Sequence, residues 1–152
     1  MNPRILAGSV AAILAASAAF IAPWEGRSLT PYADVIGVST VCNGHTGKLE
    51  NRTYTPAECD AFLKQDTATA YAAVAKCITS PMTQGQAVAL ISATFNIGEK
   101  VVCGSTLQRK ANAGDWKGAC AELDRWVFAG GRRLAGLVRR RSAERAVCEG
   151  KQ

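Results

Sequence analysis

The sequence predicts an α+β fold that is mostly helical, and three observations indicate it. The chain has 152 residues, enough for one domain with a substantial core, either undivided or in two lobes. A strong helix start, Thr55–Glu58 (TPAE), opens a long segment of helical periodicity. The clearest β pattern is short, because the β-prone runs Pro31–Asp34 and Val38–Cys42 flank a single turn.

The N-terminal part of the chain is an apolar segment. Residues Ile5–Ala22 carry no charge over 18 positions, which is just long enough to cross the core of a bilayer. Eight of these residues are alanine, so the insertion free energy sums to only about 2–4 kcal/mol. That weak hydrophobicity disfavours a permanent anchor. A cleaved signal peptide is a second interpretation, since Ala16-Ser17-Ala18 has the small residues of a cleavage site.

Charge and cysteine content restrict the partners and the compartment. The net charge of +6 suits a polyanion, which could be cell-wall carboxylates, anionic lipid or nucleic acid. Six cysteines without a CxxC pair, beside a single histidine, argue against a zinc site. An even number of cysteines behind an export-like N-terminus predicts three disulfides formed in an oxidising compartment. We expect no metal and no cofactor.

Two carboxylates near the apolar segment are candidates for catalysis. Glu25 follows that segment, Asp34 comes nine residues later, and Thr40 six residues after Asp34. Glycoside hydrolysis needs two carboxyl groups on either side of one bond, one protonated and one ionised. A glutamate on a helix end and an aspartate on the adjoining hairpin could supply them. Taken alone the pair is a weak signal, because most carboxylates are solvated surface groups.

The stretch Trp24–Gly47 resembles the phage T4-type lysozyme family, glycoside hydrolase family 24. The family pattern is Glu, eight residues, Asp or Cys, five residues, Thr, and then Gly-His. Here it reads Glu25, Asp34, Thr40, Gly44-His45. The segments Phe95–Gly98, Ser105–Cys120 and Gly136–Glu144 also look like this family and come in the same order. The resemblance covers roughly residues 24–149 and implies a lysozyme-like fold, with a small β-hairpin lobe and a larger helical lobe.

The resemblance also implies an activity. Members of this family are endolysins that hydrolyse the β-1,4 bond between N-acetylmuramic acid and N-acetylglucosamine of peptidoglycan. Glu25 is then expected to hold a proton in an apolar setting beside Trp24 and to donate it to the leaving oxygen. Asp34 would stay ionised and position a water molecule that Thr40 shares. The two carboxyl groups should lie about 6.5–9.5 Å apart, the separation of an inverting enzyme.

Three other functions stay open on the sequence. A lytic transglycosylase would act on the same bond and needs only the glutamate. A basic, disulfide-linked, membrane-active lysis protein would use the N-terminal segment and the arginines near the C-terminus. A non-enzymatic wall-binding module would bind peptidoglycan without cleaving it. The carboxylate pair with Thr40 favours the hydrolase over all three.

Family members with such an N-terminal segment use it as a signal-anchor-release (SAR) element. The resemblance therefore implies a SAR segment at residues 1–23 and a catalytic domain at 24–152. We expect export by the host secretion system, transient tethering to the inner membrane through residues 5–22, and release into the periplasm. We also expect a monomer that binds no nucleic acid. Pro23 is expected to separate the segment from Glu25, so that tethering holds Glu25 away from Asp34 and inhibits the enzyme.

A structural pair is expected between the long helix and the hairpin. The helix should run from Thr55 to about Lys76, and its periodicity places Asp66 within the buried stripe. An isolated charge there would be costly. His45, the only histidine, is the natural partner, and the matching residues are paired in the family.

This pairing predicts a disulfide. Cys42 precedes His45 by about 10 Å of extended chain, and Cys59 precedes Asp66 by about 10 Å of helical rise. With His45 against Asp66, Cys42 should meet Cys59. For the other four cysteines, family members frequently have cysteines at these places. On that resemblance we expect the sequential pairs Cys77–Cys103 and Cys120–Cys148, although fifteen connectivities are formally allowed.

The C-terminal half is expected to be helical. One apolar helix spans Ala87–Asn96, where Phe95 and Asn96 are either core and helix-end residues or, as in the family, part of the cleft floor. A short helix follows Gly114-Asp115, and its Trp116, like Trp126, is expected in the core, with sugar stacking as the alternative. The last helix should span about Arg132 to Cys148. Its apolar residues place Arg141 and Arg145 on the inner face, and we expect Arg141 to hold a carboxylate such as Glu25.

Overall fold

The computed structural model describes residues 8–151 and shows a mostly helical α+β fold, as predicted. A three-stranded antiparallel sheet in the order β1-β2-β3 forms a small lobe, and a two-stranded ribbon of β4 and β5 lies near the C-terminus. Short 3₁₀ helices occupy Glu99–Val101 and Leu123–Arg125. The helices are α1 (Val10–Glu25), α2 (Pro56–Cys77), α3 (Gln84–Ile97), α4 (Thr106–Asn112), α5 (Trp116–Glu122) and α6 (Ala135–Cys148); the strands are β1 (Ser28–Ala33), β2 (Ser39–Cys42), β3 (His45–Thr46), β4 (Phe128–Ala129) and β5 (Arg132–Arg133).

Helix α3 is the centre of the helical lobe. Every residue from Ala87 to Thr94 is buried, and the helix packs against α1, α2 and α6. A helix that is apolar all round belongs in the middle of a core. It begins three residues before the predicted Ala87 because Thr83 and Gln86 form a capping box. Trp116 and Trp126 pack against this core, which agrees with their expected place.

The long helix α2 begins as its sequence predicts. The hydroxyl of Thr55 accepts a hydrogen bond from the backbone N–H of Glu58, and the Glu58 carboxylate accepts one from the N–H of Thr55. Pro56 occupies the first helical position, where its missing N–H costs nothing. The helix ends at Cys77, one residue beyond the predicted end.

Helix α1 is one continuous helix from the apolar segment to Glu25. Ser9 caps its start, and Pro23 lies inside its last turn, so the helix continues through the proline and ends at Glu25. Ile13, Ser17 and Ile21, one turn apart from each other, are completely buried. Within residues 8–151, no helix combines the length and the apolarity needed to cross a membrane. The predicted segment starts at Ile5, and its first three residues lie outside the described part of the chain.

Three disulfides join neighbouring elements. Cys42–Cys59 links β2 to α2, Cys77–Cys103 links the end of α2 to the segment after the first 3₁₀ helix, and Cys120–Cys148 links α5 to α6. These are the three pairs expected above. The first of them lies in a separate small core of the β lobe, which also contains Val41 and Tyr54.

The last helix begins later than predicted. Gly130 and Gly131 both have positive φ angles, of 57° and 74°, and they turn the chain between β4 and β5. Arg132 and Arg133 therefore belong to a hairpin, in register with Ala129 and Phe128, and helix α6 starts only at Ala135. The Gly-Gly dipeptide is a recognised hairpin signal, although the preceding short strand has little else to indicate it.

Candidate active site

One cleft brings the five predicted catalytic and substrate-binding residues together. It has a volume of about 500 Å³ and lies where the β lobe meets the C-terminal end of α3. Its walls come from the end of α1, from the β1–β2 hairpin and from the last residues of α3. The lining residues include Glu25, Asp34, Thr40, Phe95 and Asn96.

Glu25 is the last residue of α1, and Arg140 of α6 holds it. Nη1 of Arg140 donates a hydrogen bond to Oε1 of Glu25 at 2.5 Å, across 115 residues of sequence. The Arg140 side chain is 4% exposed and that of Glu25 is 15% exposed. An ion pair with so little water around it is screened much less than a surface pair. The orientation of the Glu25 carboxyl group is therefore set by α6.

Two expectations about this region are wrong. The arginine that contacts Glu25 is Arg140, whereas Arg141 is completely buried and pairs with Glu144. Arg141 does lie on the inner face of the helix, as expected, but Arg140 and Glu144 are buried there as well, and the two arginines are balanced by Glu25 and Glu144. Arg145, also expected inside, is 39% exposed and pairs with Asp124 and Glu149.

The surroundings of Glu25 are not the apolar setting that the sequence predicts. Trp24 is 38% exposed, and the nearest charged group to Glu25 is a guanidinium. A neighbouring cation favours a carboxylate over a carboxylic acid. Arg140 is consequently placed to stabilise a carboxylate at this position.

Gly44 presses against the other side of Glu25. Its φ angle is 78°, a left-handed conformation that side chains other than glycine rarely adopt. A Cβ atom at this position would also collide with Oε2 of Glu25. A side chain at position 44 would therefore both strain the backbone and displace the carboxyl group of Glu25.

Asp34 organises the turn that carries it. Its Oδ1 accepts hydrogen bonds from the backbone N–H groups of Ile36 and Val38, at 2.9 and 2.8 Å. The N–H of Asp34 donates to the carbonyl of Val38. Side-chain bonds of this kind replace backbone pairing in short turns. Among the residues that the structure describes, Oδ2 has no partner, so it can accept a hydrogen bond from a ligand.

Thr40 lies opposite Tyr32 in the β1–β2 pair and is only 3% exposed. Its hydroxyl donates to the carbonyl of Val38 at 2.9 Å, so the oxygen is left as an acceptor. The pKa of Tyr32 is raised by burial first, and then by the charges of Glu25 and Asp34. Both carboxylates therefore act on the same ring.

His45 and Asp66 form the expected pair beside this cleft. Nδ1 of His45 lies 2.7 Å from Oδ2 of Asp66, and the imidazole stacks on Phe62 at 3.8 Å between ring centres. The pair links strand β3 to helix α2. Neither partner of the histidine lines the cleft around Glu25, although Asp66 lines the hollow next to it.

Phe95 and Asn96 line the cleft at the end of α3. Phe95 also packs against the main core, so it is both a core residue and a residue of the cleft. Oδ1 of Asn96 itself is buried and has no hydrogen-bond partner in the described part of the chain. A second hollow of about 540 Å³ adjoins the first and shares Phe95 and Gly44 with it, so the groove is longer than one sugar.

Sequence reasoning missed two residues around this site, Glu144 and Ser92. The arginine and the glutamate of the sequence Arg140-Arg-Ser-Ala-Glu144 are one helical turn apart, which is the spacing of an intrahelical ion pair. That signal was present in the sequence. Ser92 gives no such signal, because its position opposite Glu144 depends on how α3 crosses α6. Within residues 8–151, no cluster of three or more His, Cys, Asp or Glu side chains could hold a metal ion.

Comparison with known proteins gives the family. A sequence model described as phage lysozyme matches residues 22–144, which include every cleft residue named above. The chain belongs to the phage lysozyme family. It is 46% identical to the SAR-endolysin of Enterobacteria phage P21 over 126 residues, covering 82% of this chain and 76% of that protein. It is 42% identical to the SAR-endolysin of Bacteriophage PS34 over 154 residues, covering 97% and 92%.

Solved structures agree with this assignment to the phage lysozymes. The muramidase domain of SpmX from Asticaccaulis excentricus superposes with a TM-score of 0.78 at 30% sequence identity. The match covers 88% of this chain and 94% of that domain. The predicted fold class, a lysozyme-like fold with a small β lobe, is confirmed.

Proposed function

We propose that this phage lysozyme is an endolysin, a muramidase that hydrolyses peptidoglycan and so lyses the host cell. The bond cleaved is the β-1,4 bond between N-acetylmuramic acid and N-acetylglucosamine. The observation that carries the proposal is that Glu25, Asp34 and Thr40 line one cleft between the two lobes. The relatives named as endolysins support the same activity.

Glu25 is the general acid in this mechanism. It donates a proton to the glycosidic oxygen as the bond breaks. The carboxylate that forms is stabilised by the hydrogen bond from Nη1 of Arg140. Since Gly44 bears no side chain, Oε2 keeps its place on the opposite side of the carboxyl group.

Asp34 and Thr40 position the water. Oδ2 of Asp34 and Oγ1 of Thr40 are both available as acceptors, since Oδ1 of Asp34 is used by the turn and the Thr40 proton goes to a carbonyl. A water that donates to both acceptors directs a lone pair toward the anomeric carbon, and as its oxygen bonds to that carbon one water proton passes to Oδ2 of Asp34. Attack from this side inverts the configuration, and the predicted carboxyl separation of about 6.5–9.5 Å leaves room for that water.

The substrate is a peptidoglycan strand that lies along the groove. Phe95 offers an apolar face to a sugar ring, and Asn96 lines the same cleft, where its side-chain amide can hydrogen-bond a polar group of the substrate. The adjoining second hollow takes a further part of the strand. We propose that the protein acts as a monomer, which analytical ultracentrifugation of the released protein can test.

The decisive experiment measures reducing ends released from purified peptidoglycan by wild type, Glu25→Gln and Asp34→Asn. The asparagine keeps an oxygen acceptor for the turn and removes only the charge, whereas Asp34→Ala would also loosen the hairpin. We expect both variants to lose at least about 100-fold in activity. Asn96→Asp, which keeps the shape of a cleft residue, reports the smaller effect of a substrate contact.

The other candidate functions give different results. If the protein is a lytic transglycosylase, its products will carry 1,6-anhydro ends and the Asp34→Asn variant will stay active. If the protein instead lyses cells by acting on the membrane, the Glu25→Gln variant will still lyse them. A wall-binding module releases no reducing ends even as wild type.

We further propose that residues 1–23 are a signal-anchor-release segment of the catalytic domain at 24–152. The segment would be exported, would hold the protein transiently in the inner membrane through residues 5–22, and would then release it into the periplasm. Two relatives named SAR-endolysin support this. Helix α1 runs across the proposed division and ends at Glu25. If residues 10–22 were in the bilayer, Glu25 would be pulled away from Arg140, and the enzyme would be inactive.

Comparing peptidoglycan hydrolysis by membrane-bound and released protein tests this second proposal. The released form should be active and the tethered form should not. Equal activity of the two forms would end the proposal and would leave the hydrolase itself untouched. N-terminal sequencing of the released protein distinguishes release from cleavage near Ala18.

A further inference from the structure

Glu144 lies directly behind the arginine that holds the catalytic acid. Its side chain is completely buried. Oε1 accepts hydrogen bonds from the Ser92 hydroxyl at 2.7 Å and from Nη2 of Arg141 at 2.8 Å, and it lies 3.3 Å from Nε of Arg140. Oε2 lies 2.6 Å from Nε of Arg141, although the two are not aligned for a hydrogen bond. Glu144 thus connects both arginines to α3.

The buried charges balance only if Glu144 is counted. Arg140 and Arg141 are adjacent guanidiniums, 4% and 0% exposed. Glu25 compensates one of them and Glu144 the other. Burial lowers the pKa of Arg141, as does repulsion by Arg140, while attraction to Glu144 acts in the opposite direction. A buried cation without a carboxylate partner is strongly destabilising, so two arginines would not stay here with Glu25 alone.

We propose that Glu144 is a positioning residue of the hydrolysis, acting through Arg140 on Glu25. The inference rests on the muramidase function proposed above. Glu144 itself is completely buried and contacts neither the cleft nor the substrate. It holds the Nε edge of the Arg140 guanidinium, and thereby directs Nη1 to the catalytic carboxyl group.

The shape of the guanidinium group carries this step. The group is planar and rigid, so two fixed corners determine the third. Nε of Arg140 lies near Glu144, and Nη2 lies 3.3 Å from Oγ and 3.4 Å from the carbonyl oxygen of Ser92. Nη1 is the remaining corner, and it donates to Glu25. The hydroxyl of Ser92 contacts both side chains, because its oxygen accepts from Nη2 of Arg140 and its proton is donated to Glu144.

Glu144 also divides the charge of Arg140. While Glu144 is ionised, the guanidinium interacts with two carboxylates, and Glu25 experiences only part of its field. Without Glu144 the whole charge of the guanidinium would act on Glu25. The other charged or titratable groups near Glu25 are Arg141 on α6, Tyr32 on β1 and Asp34 across the cleft.

Opposite shifts of the pH–activity profile test the division of charge. The basic limb of the profile reports deprotonation of the general acid. In Glu144→Gln we expect that limb to move to lower pH by roughly one unit. In Arg141→Met, where Glu144 turns wholly to Arg140, we expect it to move to higher pH. A role in folding alone would lower activity and leave both limbs in place.

A double variant tests the geometry separately and guards against a variant that fails to fold. Arg141→Met/Glu144→Leu replaces one positive and one negative charge by apolar side chains, an exchange that buried ion pairs often tolerate. We expect a folded protein, with a melting temperature near that of wild type, whose kcat is about tenfold lower because Arg140 has lost the support of its Nε edge. Glu149→Gln is the matched control, since Glu149 directly follows the same helix and also binds an arginine; its activity should equal that of wild type.

Each outcome decides the matter. Full activity in the folded double variant, or limbs that move together in the two single variants, would overturn the positioning role. If Glu144→Gln does not fold, Arg141→Met and the double variant still decide it. Absence of reducing-end release by wild type would instead refute the muramidase function, so the two failures cannot be confused.

Discussion

His45 and Asp66 join the two lobes, with Nδ1 of the histidine 2.7 Å from Oδ2 of the aspartate. One belongs to strand β3 of the small lobe and the other to helix α2. Cys42–Cys59 makes a second link between the same two lobes. A polar and a covalent connection therefore both help to hold the β lobe, which carries Asp34 and Thr40, to the helical part of the protein.

Removing the polar connection should lower stability. Asp66→Asn takes away the charged partner of a hydrogen bond that is only partly exposed, and we expect a loss of about 1.5–3 kcal/mol in the free energy of unfolding. Urea denaturation measures it. Asp60→Asn is the matched control, because Asp60 is on the same helix and binds Arg27 at the surface. The control should change by less than about 0.5 kcal/mol, and equal losses in both variants would contradict the special role of Asp66.

Gly44→Ala should disable the enzyme. Its methyl group would collide with the Glu25 carboxyl group and displace it, and a displacement of about 1 Å at a catalytic group can lower activity about 100-fold. Gly47→Ala separates this effect from backbone strain, since Gly47 also has a positive φ of 122° but no atom within 4 Å of the added carbon. If the two variants lose activity equally, the strain and not the collision is responsible. Reducing-end release measures the activity, and circular dichroism verifies folding.

Removing the covalent connection should be more costly than removing the polar one. Cys42→Ser/Cys59→Ser opens a disulfide that spans 17 residues, for which chain entropy predicts a loss of about 3 kcal/mol. The loss should be accompanied by faster hydrogen exchange in the β lobe than in α3. Uniform exchange throughout the protein would indicate that the disulfide stabilises the whole fold rather than this lobe.

Acid should weaken the start of α2. The hydrogen bonds from Arg52, and then from the Thr55 backbone, lower the pKa of Glu58 to about 2. A carboxylate with a lowered pKa in the folded state contributes stability above its unfolded pKa of about 4.5, and that contribution is lost as the pH falls through about 2. Glu58→Gln should therefore melt at a lower temperature than wild type at pH 6, and the difference should shrink below pH 4. A difference that stays constant down to pH 2 would contradict the ionic contribution.

Local signals predicted much of this fold. The capping box at Thr55 and Glu58 gave the start of α2, because both of its hydrogen bonds form within four residues. The pairing of His45 with Asp66 gave the position of Cys42 against Cys59, since the spacing along a strand and along a helix is fixed by backbone geometry. In both cases a single element or one assumed contact was sufficient.

Long-range partners were harder to predict. Choosing Arg141 instead of Arg140 as the partner of Glu25 followed from assuming that apolar residues mark the inner face of α6. The assumption correctly placed Arg141 in the interior but overlooked Arg140, which is buried as well. Glu25 is also 115 residues from Arg140, so no local pattern connects the two. For the same reason the sequence placed Glu25 in an apolar setting. Glu25 does lie on a helix end, as expected, because the helix continues through Pro23 although the proline lacks a backbone N–H.

Because α1 is continuous, Glu25 and the apolar segment belong to a single helix. Ile13, Ser17 and Ile21 fill the core, and Glu25 lies one turn beyond the last of them. Moving α1 out of the core would leave a cavity, remove the carboxylate partner of Arg140 and withdraw Glu25 from the cleft in a single movement. Docking of the apolar residues in the core and placement of Glu25 in the cleft are therefore coupled in every molecule.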